Sequence, residues 1–338
     1  MTNEIKQIFQ TAANWQQAGK KIVLATVVNL EGSSYRRPGV RMIISDRGDT
    51  FGAVSGGCVE KEIQNQAQSV FSNGRSKIMS YDGRYRIGCD GLIYILLEPF
   101  FVTNEILENF ISVLQERQSF KTDIYYNLSL GEHGGIGTAL LMKNLKFFIN
   151  PAFHTDQVTE QSCFSQTFRP VFQLYIFGAE HDAVHLCRAA SLLGWEVTIV
   201  ASPDEDKLVD YFPGAAKLIT PDFNNLDTSG YDGQTAIILM THSFNKDVQY
   251  LIALKNVKPA YIGLLGPKRR RDRVLSKFMD YCPDTSVEFL EQVHGPVGIN
   301  IGAENAPEVA VSIIAEILST IRKQEPMPLK DKTGSIHG

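Results

Sequence analysis

No two cysteines in this chain stand in a C-x-x-C arrangement. The five present, an odd number spread from Cys58 to Cys282, give no basis for a disulfide framework or a structural zinc site. They read as reduced thiols. An excess of one charge is also missing: 33 Lys and Arg against 37 Asp and Glu leave a net charge of -4. That balance argues against a general role on nucleic acid or a membrane surface, neither of which suits an acidic chain. No apolar run approaches the roughly 20 residues of a membrane span, and Met1–Glu4 holds no basic segment leading into one. A cytoplasmic location is expected. At 338 residues the chain is long for one core, and its 43% hydrophobic content can fill two.

What is present in quantity is glycine beside reactive and anion-seeking side chains, between Gly32 and Glu60. The stretch reads Gly32, Ser33, Ser34, Tyr35, Arg36, Arg37, Pro38, Gly39, an apolar strand over Met42–Ile44, then Gly52 and the run Ser55, Gly56, Gly57, Cys58, Val59, Glu60. Asp46, Arg47, Gly48 and Asp49 predict a hairpin turn, which would put the two glycine loops at the same end. After Cys58 the residues Val59, Ile63, Ala67, Val70 and Phe71 recur at helical spacing, with Gly74 as a stop. Cys58 is therefore expected at a helix start, where unpaired N–H groups and the helix dipole favour thiolate over thiol. It would be a nucleophile or a soft metal ligand there; alternatively the glycines merely permit a tight turn and Cys58 packs as a small apolar residue.

The first half mixes helices with hairpins. An opening helix carries Ile5, Ile8, Phe9, Ala12 and Trp15, and a strand over Ile22–Val28 runs into the first glycine loop. A third glycine loop, Tyr81–Gly91, contains Cys89 and precedes a strand over Leu92–Leu97. A helix over Asn104–Gln115 and strands near Ile124–Asn127, Ala139–Met142 and Leu145–Phe148 complete an α+β domain over 1–150. The polar stretch 151–170 reads as a linker, or else as an edge strand and loop of the first domain. Residues 171–325 alternate strand and helix, which predicts a Rossmann-like doubly wound parallel sheet; 326–338 is a polar tail. The fold class is α/β, an α+β domain followed by that sheet.

The first strand-to-helix turn of the second half is Gly178, Ala179, Glu180, His181, Asp182, Ala183. It has the first and third positions of G-x-G-x-x-G/A, with Glu180 in place of the second glycine. A carboxylate ~4 Å from a phosphate at an effective dielectric of 20 costs about 4 kcal/mol per charge pair, roughly a thousandfold in affinity. The second strand ends at Ala201, Ser202 and Pro203, where a ribose-binding acid would stand. NAD(P) binding is therefore not expected. His242 follows another strand as a catalyst or an ordinary loop residue. Gly263–Gly266 lead into Lys268, Arg269, Arg270 and Arg271, which read as a phosphate site or a solvated helix face.

Four patches together carry a resemblance: ATVVNLEGSSYRR over Ala25–Arg37, FGAVSGGCVE over Phe51–Glu60, the Gly178 turn, and YIGLLG over Tyr261–Gly266 with GPVGINIGAENAPEVAVSIIAE over Gly295–Glu316. On these residues the chain resembles the XdhC/CoxI family of xanthine dehydrogenase accessory factors over nearly its whole length. The resemblance implies a protein that binds the molybdenum cofactor, as molybdopterin or its dinucleotide form, and helps mature and insert it into a molybdenum hydroxylase such as xanthine dehydrogenase. It does not imply the dehydrogenase itself. The implied cofactor-binding residues are Gly32, Ser33, Ser34, Arg36, Arg37, Ser55, Gly56, Gly57, Cys58, Glu60, Cys89, Gly178, Glu180, His181, His242, Gly266 and Arg269, with Cys58 as the chemical centre and molybdenum contact. The implied partners are the hydroxylase apoenzyme and a cysteine desulfurase, with no nucleic acid or membrane; a homodimer rests on base rates. The family's usual Gly-Ala-Gly-His and Cys-Gly-Gly appear here as Gly178-Ala179-Glu180-His181 and Cys89-Asp90-Gly91. Two other readings remain, an NAD(P)-dependent oxidoreductase built on the second domain and a sulfurtransferase centred on Cys58.

Overall fold

The computed structural model describes residues 1–32, 37–55, 57–82, 91–158 and 161–333. The chain divides into two units, Met1–Pro170 and Val171–Gly338.

In the first unit α1 (Thr2–Gln17) leads into β1 (Ile22–Gly32), β2 (Arg41–Ser45), β3 (Thr50–Gly52), α2 (Cys58–Asn73), β4 (Lys77–Asp82), β5 (Gly91–Pro99), α3 (Asn104–Gln115), β6 (Phe120–Tyr126), β7 (Gly131–Glu132), β8 (Gly137–Met142), β9 (Leu145–Phe148) and β10 (Ser162–Phe168). One sheet has the order β3-β2-β1-β5-β4-β7 and the other β10-β6-β8-β9. Strand alternation divides the burial in the first sheet. Val23, Ala25 and Val27 of β1 pack with Val59, Ile63, Ala67 and Val70 of α2, whereas Ile22 and Leu24 join Ile5, Ile8 and Phe9 of α1 and Phe110 of α3. Aromatic contacts carry this second core through to the other sheet. Phe9 stacks on Phe110 at 4.4 Å, Phe110 meets Phe120 edge-on at 5.4 Å, and Phe120 stacks on Phe168 at 4.8 Å.

That last contact corrects the reading of 151–170 as a linker. Ser162–Phe168 is an edge strand fully paired with β6, and the first unit runs to Pro170. Its alternation is hidden because one outer face is solvated, so only Phe168 is buried. The third glycine loop also shortens, since Tyr81 and Asp82 belong to β4 and Gly91 opens β5.

The second unit runs β11 (Gln173–Phe177), α4 (His181–Leu192), β12 (Glu196–Val200), β13 (Ala215–Ile219), β14 (Thr235–Leu239), α5 (Phe244–Ala253), β15 (Tyr261–Leu264), α6 (Lys268–Tyr281), α7 (Val287–Gln292), β16 (Val293–His294) and α8 (Ala306–Arg322). Its strands lie in the order β13-β12-β11-β14-β15-β16 and every pairing is parallel. This is the doubly wound order, with its switch point between β11 and β14. Leu174 and Ile176 face α4 and α8, while Phe177 faces α5 and α6. No described helix is long and apolar enough to cross a membrane.

Candidate functional site

Antiparallel pairing gathers the glycine loops of the first unit. Gly32, at the end of β1, stands opposite Gly91, at the start of β5. β2 runs antiparallel to β1 and β3 antiparallel to β2, so Gly39 and Gly52 lie at that same end, where α2 begins. Gly52 is at φ 80°, and a Cβ there would lie 2.8 Å from the Arg41 carbonyl oxygen, so the chain turns toward α2 only with glycine.

The turn into α2 is braced from within. Ser55 N–H donates to Glu60 Oε1 at 2.6 Å, the Ser55 hydroxyl to Oε2 at 2.7 Å, and Gly57 N–H to Oε2 at 2.9 Å. Burial works to raise the pKa of Glu60, but these hydrogen bonds outweigh it and hold the carboxyl below its ordinary range. Glu60 is therefore engaged as the N3 residue of a capping arrangement. Gly57 adopts φ 120° and has open space where a side chain would project. Cys58 is the first residue of α2, a 16-residue helix whose first-turn N–H groups have no intrahelical acceptor and attract anions. The Cys58 side chain, Ser33, Ser34, Arg36, Gly56 and Cys89 lie outside the described residues. Arg37 is exposed.

Two buried charges that have no signal in the sequence sit on strands of this sheet, Arg41 opposite Thr26 and Glu98 opposite Leu24 of β1. Arg41 donates to Gly39 O at 2.7 Å, Gln166 Oε1 at 2.6 Å and Thr122 Oγ1 at 3.0 Å. Burial lowers its pKa to about 10. Glu98 accepts from Thr138 N–H at 2.9 Å and from the Thr138 hydroxyl at 2.5 Å, and burial raises its pKa to about 7.

In the second unit the switch point holds a hollow of about 170 Å³ lined by Gly178, Ala179, Glu180, Val200, Ser202, Asp204, Glu205, Thr241, Lys246 and Tyr250. Gly178 sits at φ 135°, and a Cβ would fall 2.4 Å from Met240 O, so this glycine permits the close approach of β11 to the end of β14. Glu180 caps α4 at φ -80° with no side-chain cap bond, its exposed carboxylate on the wall of the hollow. No acid stands at Ala201–Pro203, yet Asp204 and Glu205, which sequence reasoning missed, return to the same wall. Lys246, hydrogen-bonded to Ser202 Oγ, is the cation lining the hollow. The surplus of carboxylates disfavours a pyrophosphate. Tyr250 Oη is buried there with no hydrogen-bond partner among the described residues, leaving a donor for an occupant.

His242 is placed by a different network. Buried Asp247 receives the Thr241 hydroxyl at 2.6 Å and Arg270 Nη2 at 2.6 Å. The loop so fixed holds His242 at φ 55°, uncommon for a residue other than glycine, with Nε2 3.2 Å from Asp182 Oδ2. Gly266 adopts φ 123°, a backbone conformation that favours glycine, and a Cβ there would also fall 2.6 Å from Arg270 Cδ. Arg271 binds Val293 O, which leaves Lys268 and Arg269 as the exposed start of the basic run. The structure thus gathers Gly178, Glu180, His181 and His242 at the switch point and links Gly266 to them through Arg270 and Asp247. His185, whose Nε2 lies 3.1 Å from that of His181, was also missed, although the i, i+4 spacing was its signal.

An α+β unit with a braced glycine turn, followed by a Rossmann unit in the 3-2-1-4-5-6 order, defines a two-unit protein that presents one ligand-suited strand end in each unit. Residues 15–82 match the XdhC and CoxI family, and 174–317 match the XdhC Rossmann domain. The chain belongs to the XdhC/CoxI family. It is 29% identical over 325 residues to a Bacillus subtilis protein whose name describes a probable xanthine dehydrogenase subunit; the match covers 90% of this chain and 94% of that one. It is 26% identical over 330 residues to the Escherichia coli molybdenum cofactor insertion chaperone PaoD, covering 96% and 91%. A crystal structure of a xanthine dehydrogenase from Bacillus halodurans superposes with a TM-score of 0.75 at 26% identity, covering 95% of this chain and 98% of that one.

Proposed function

We propose that this protein binds the molybdenum cofactor at the glycine-loop end of its first sheet and assists the maturation and insertion of that cofactor into a molybdenum hydroxylase apoenzyme. The observation that carries the reading is the turn braced by Glu60, which sets Cys58 at the first position of α2 beside an unobstructed Gly57. A thiolate at a helix start is a soft donor suited to molybdenum or sulfur, and the first-turn N–H groups suit the phosphate of a pterin. The cofactor is cargo in this reading. Cys58 contacts it, as ligand or nucleophile, while Glu60 shapes the turn. The relationship to a cofactor insertion chaperone supports the same assignment.

Two relatives bear dehydrogenase names. The accessory reading is preferred because the Rossmann turn holds Glu180, and Asp204 and Glu205 face the same hollow, an acidic setting ill-suited to a nicotinamide dinucleotide. Anaerobic purification from a cofactor-producing host, followed by molybdenum and pterin analysis, tests the proposal. Both should co-purify in near-equal amounts with the chain. Saturable NAD(H) binding with neither molybdenum nor pterin would overturn it, and sulfur transfer without pterin binding would transfer the role of Cys58 to a persulfide carrier.

A further inference from the structure

The first helix of the Rossmann unit carries two histidines that the cofactor reading does not use as a pair. His181 and His185 are four residues apart on α4, so they lie one above the other on a single helix face. Their Nε2 atoms stand 3.1 Å apart, with ring centroids at 4.7 Å and planes at 82°. At most one proton can lie between two such nitrogens, so in the metal-free protein at least one ring is held in a tautomer chosen by the other. Two imidazole nitrogens bound at about 2.05 Å and separated by this distance would subtend about 98° at a common ion, between the octahedral and tetrahedral angles.

From this geometry we propose that His181 and His185 form a two-point clip for a divalent first-row transition ion. Imidazole is a borderline donor that suits zinc, nickel, copper and cobalt, whereas magnesium and calcium take oxygen. Among the described residues no three His, Cys, Asp or Glu groups converge. The clip therefore leaves coordination positions to water or to a ligand of the ion, the arrangement of an open rather than a structural site. The positive end of the α4 dipole opposes a cation here, and the carboxylates of Glu180 and Asp182, at the cap and in the first turn, counter it. Asp182 also faces His242 at 3.2 Å, so the imidazole of His242 is engaged separately and provides an internal control.

Because both nitrogens chelate one ion, losing either histidine should remove most of the affinity. The test is equilibrium dialysis of the full-length protein against Ni²⁺ and Zn²⁺ at pH 7.5, with Co²⁺ absorption to report the donor type. It is run on the parent, His181→Ala, His185→Ala, His242→Ala and Cys58→Ser, each checked for an unchanged melting temperature without metal. The expected result is one saturable ion per chain, bound at least tenfold more weakly by His181→Ala and by His185→Ala. His242→Ala and Cys58→Ser should match the parent, with Ni²⁺ held more tightly than Co²⁺ and a Co²⁺ spectrum lacking thiolate charge-transfer bands. Absence of saturable binding up to millimolar metal would overturn the proposal, as would affinity that survives loss of either α4 histidine or disappears with Cys58.

Discussion

Gly32 and Gly91 face each other as the last pair of the β1–β5 ladder, so the loops that leave β1 and enter β5 start from adjacent points at the end of the sheet where α2 begins. Strand pairing brings Gly39 and Gly52 to that end, and the Glu60 hydrogen bonds fix the turn that follows. Each support of this end, and of its counterpart in the second unit, can be removed singly.

Glu60 should be a brace with its own acid limit. Its folded-state pKa is depressed, so its contribution is present above the ordinary glutamate value of 4.5 and is lost as pH falls through the lower folded value. Glu60→Ala should cost about 1–2 kcal/mol at pH 7 and less at pH 3. Urea unfolding between pH 3 and 7 measures this, and an equal cost at both ends would show that the carboxylate charge plays no part.

Glu98 should act in the opposite direction. Its folded pKa of about 7 lies above the unfolded value, so the stability it confers is complete below about 4.5 and is lost as pH rises through about 7. Glu98→Gln can still accept from Thr138 N–H and donate to its hydroxyl. The variant should therefore lack this slope and be more stable than the parent by about 1–3 kcal/mol above pH 7. Parallel pH profiles for the two proteins would contradict the assignment.

Asp247 is the buried anchor of the loop bearing His242. Asp247→Ala should cost about 3 kcal/mol by leaving the Arg270 guanidinium and the Thr241 hydroxyl without their shared acceptor. A denaturant midpoint unchanged from the parent would show that the network is dispensable.

Much of this was legible in the residues. The expected helix over Asn104–Gln115 coincides with α3, whose start the structure fixes through Thr103, its hydroxyl accepting from Ile106 N–H. The start of α2 at Cys58 follows from the glycines before it and the apolar helical spacing after it. The sequence leaves 151–170 open between a linker and an edge strand because a strand with a solvated face mixes Ser, Gln and Thr with its phenylalanines, and the pairing with β6 and the stacking on Phe120 identify β10. α7 and β16 are too short to build a period. Nothing local to Arg41 or Asp247 says that distant hydroxyls, carbonyls and a guanidinium will meet them. The hollow at the switch point depends on Asp204 and Glu205, from the loop after β12, meeting Lys246 of α5, a convergence set by tertiary structure.

Nucleotide binding should respond to a single charge. The parent should bind NAD(H) weakly or not at all, and Glu180→Gly should strengthen binding by removing the carboxylate nearest the expected pyrophosphate. Titration calorimetry decides this; micromolar binding by the parent would contradict the electrostatic argument.

The most direct measurement is cofactor retention by Cys58→Ser. Serine nearly matches cysteine in shape and can satisfy the helix start, so the fold should change by no more than about 1 kcal/mol. A hydroxyl cannot replace a thiolate, because its proton is far harder to remove and its oxygen is a harder donor. Molybdenum and pterin bound per chain should fall at least tenfold in Cys58→Ser, with the melting temperature nearly unchanged and Cys89→Ser behaving like the parent. Undiminished cofactor binding by Cys58→Ser would contradict the account and reduce Cys58 to a residue of the turn.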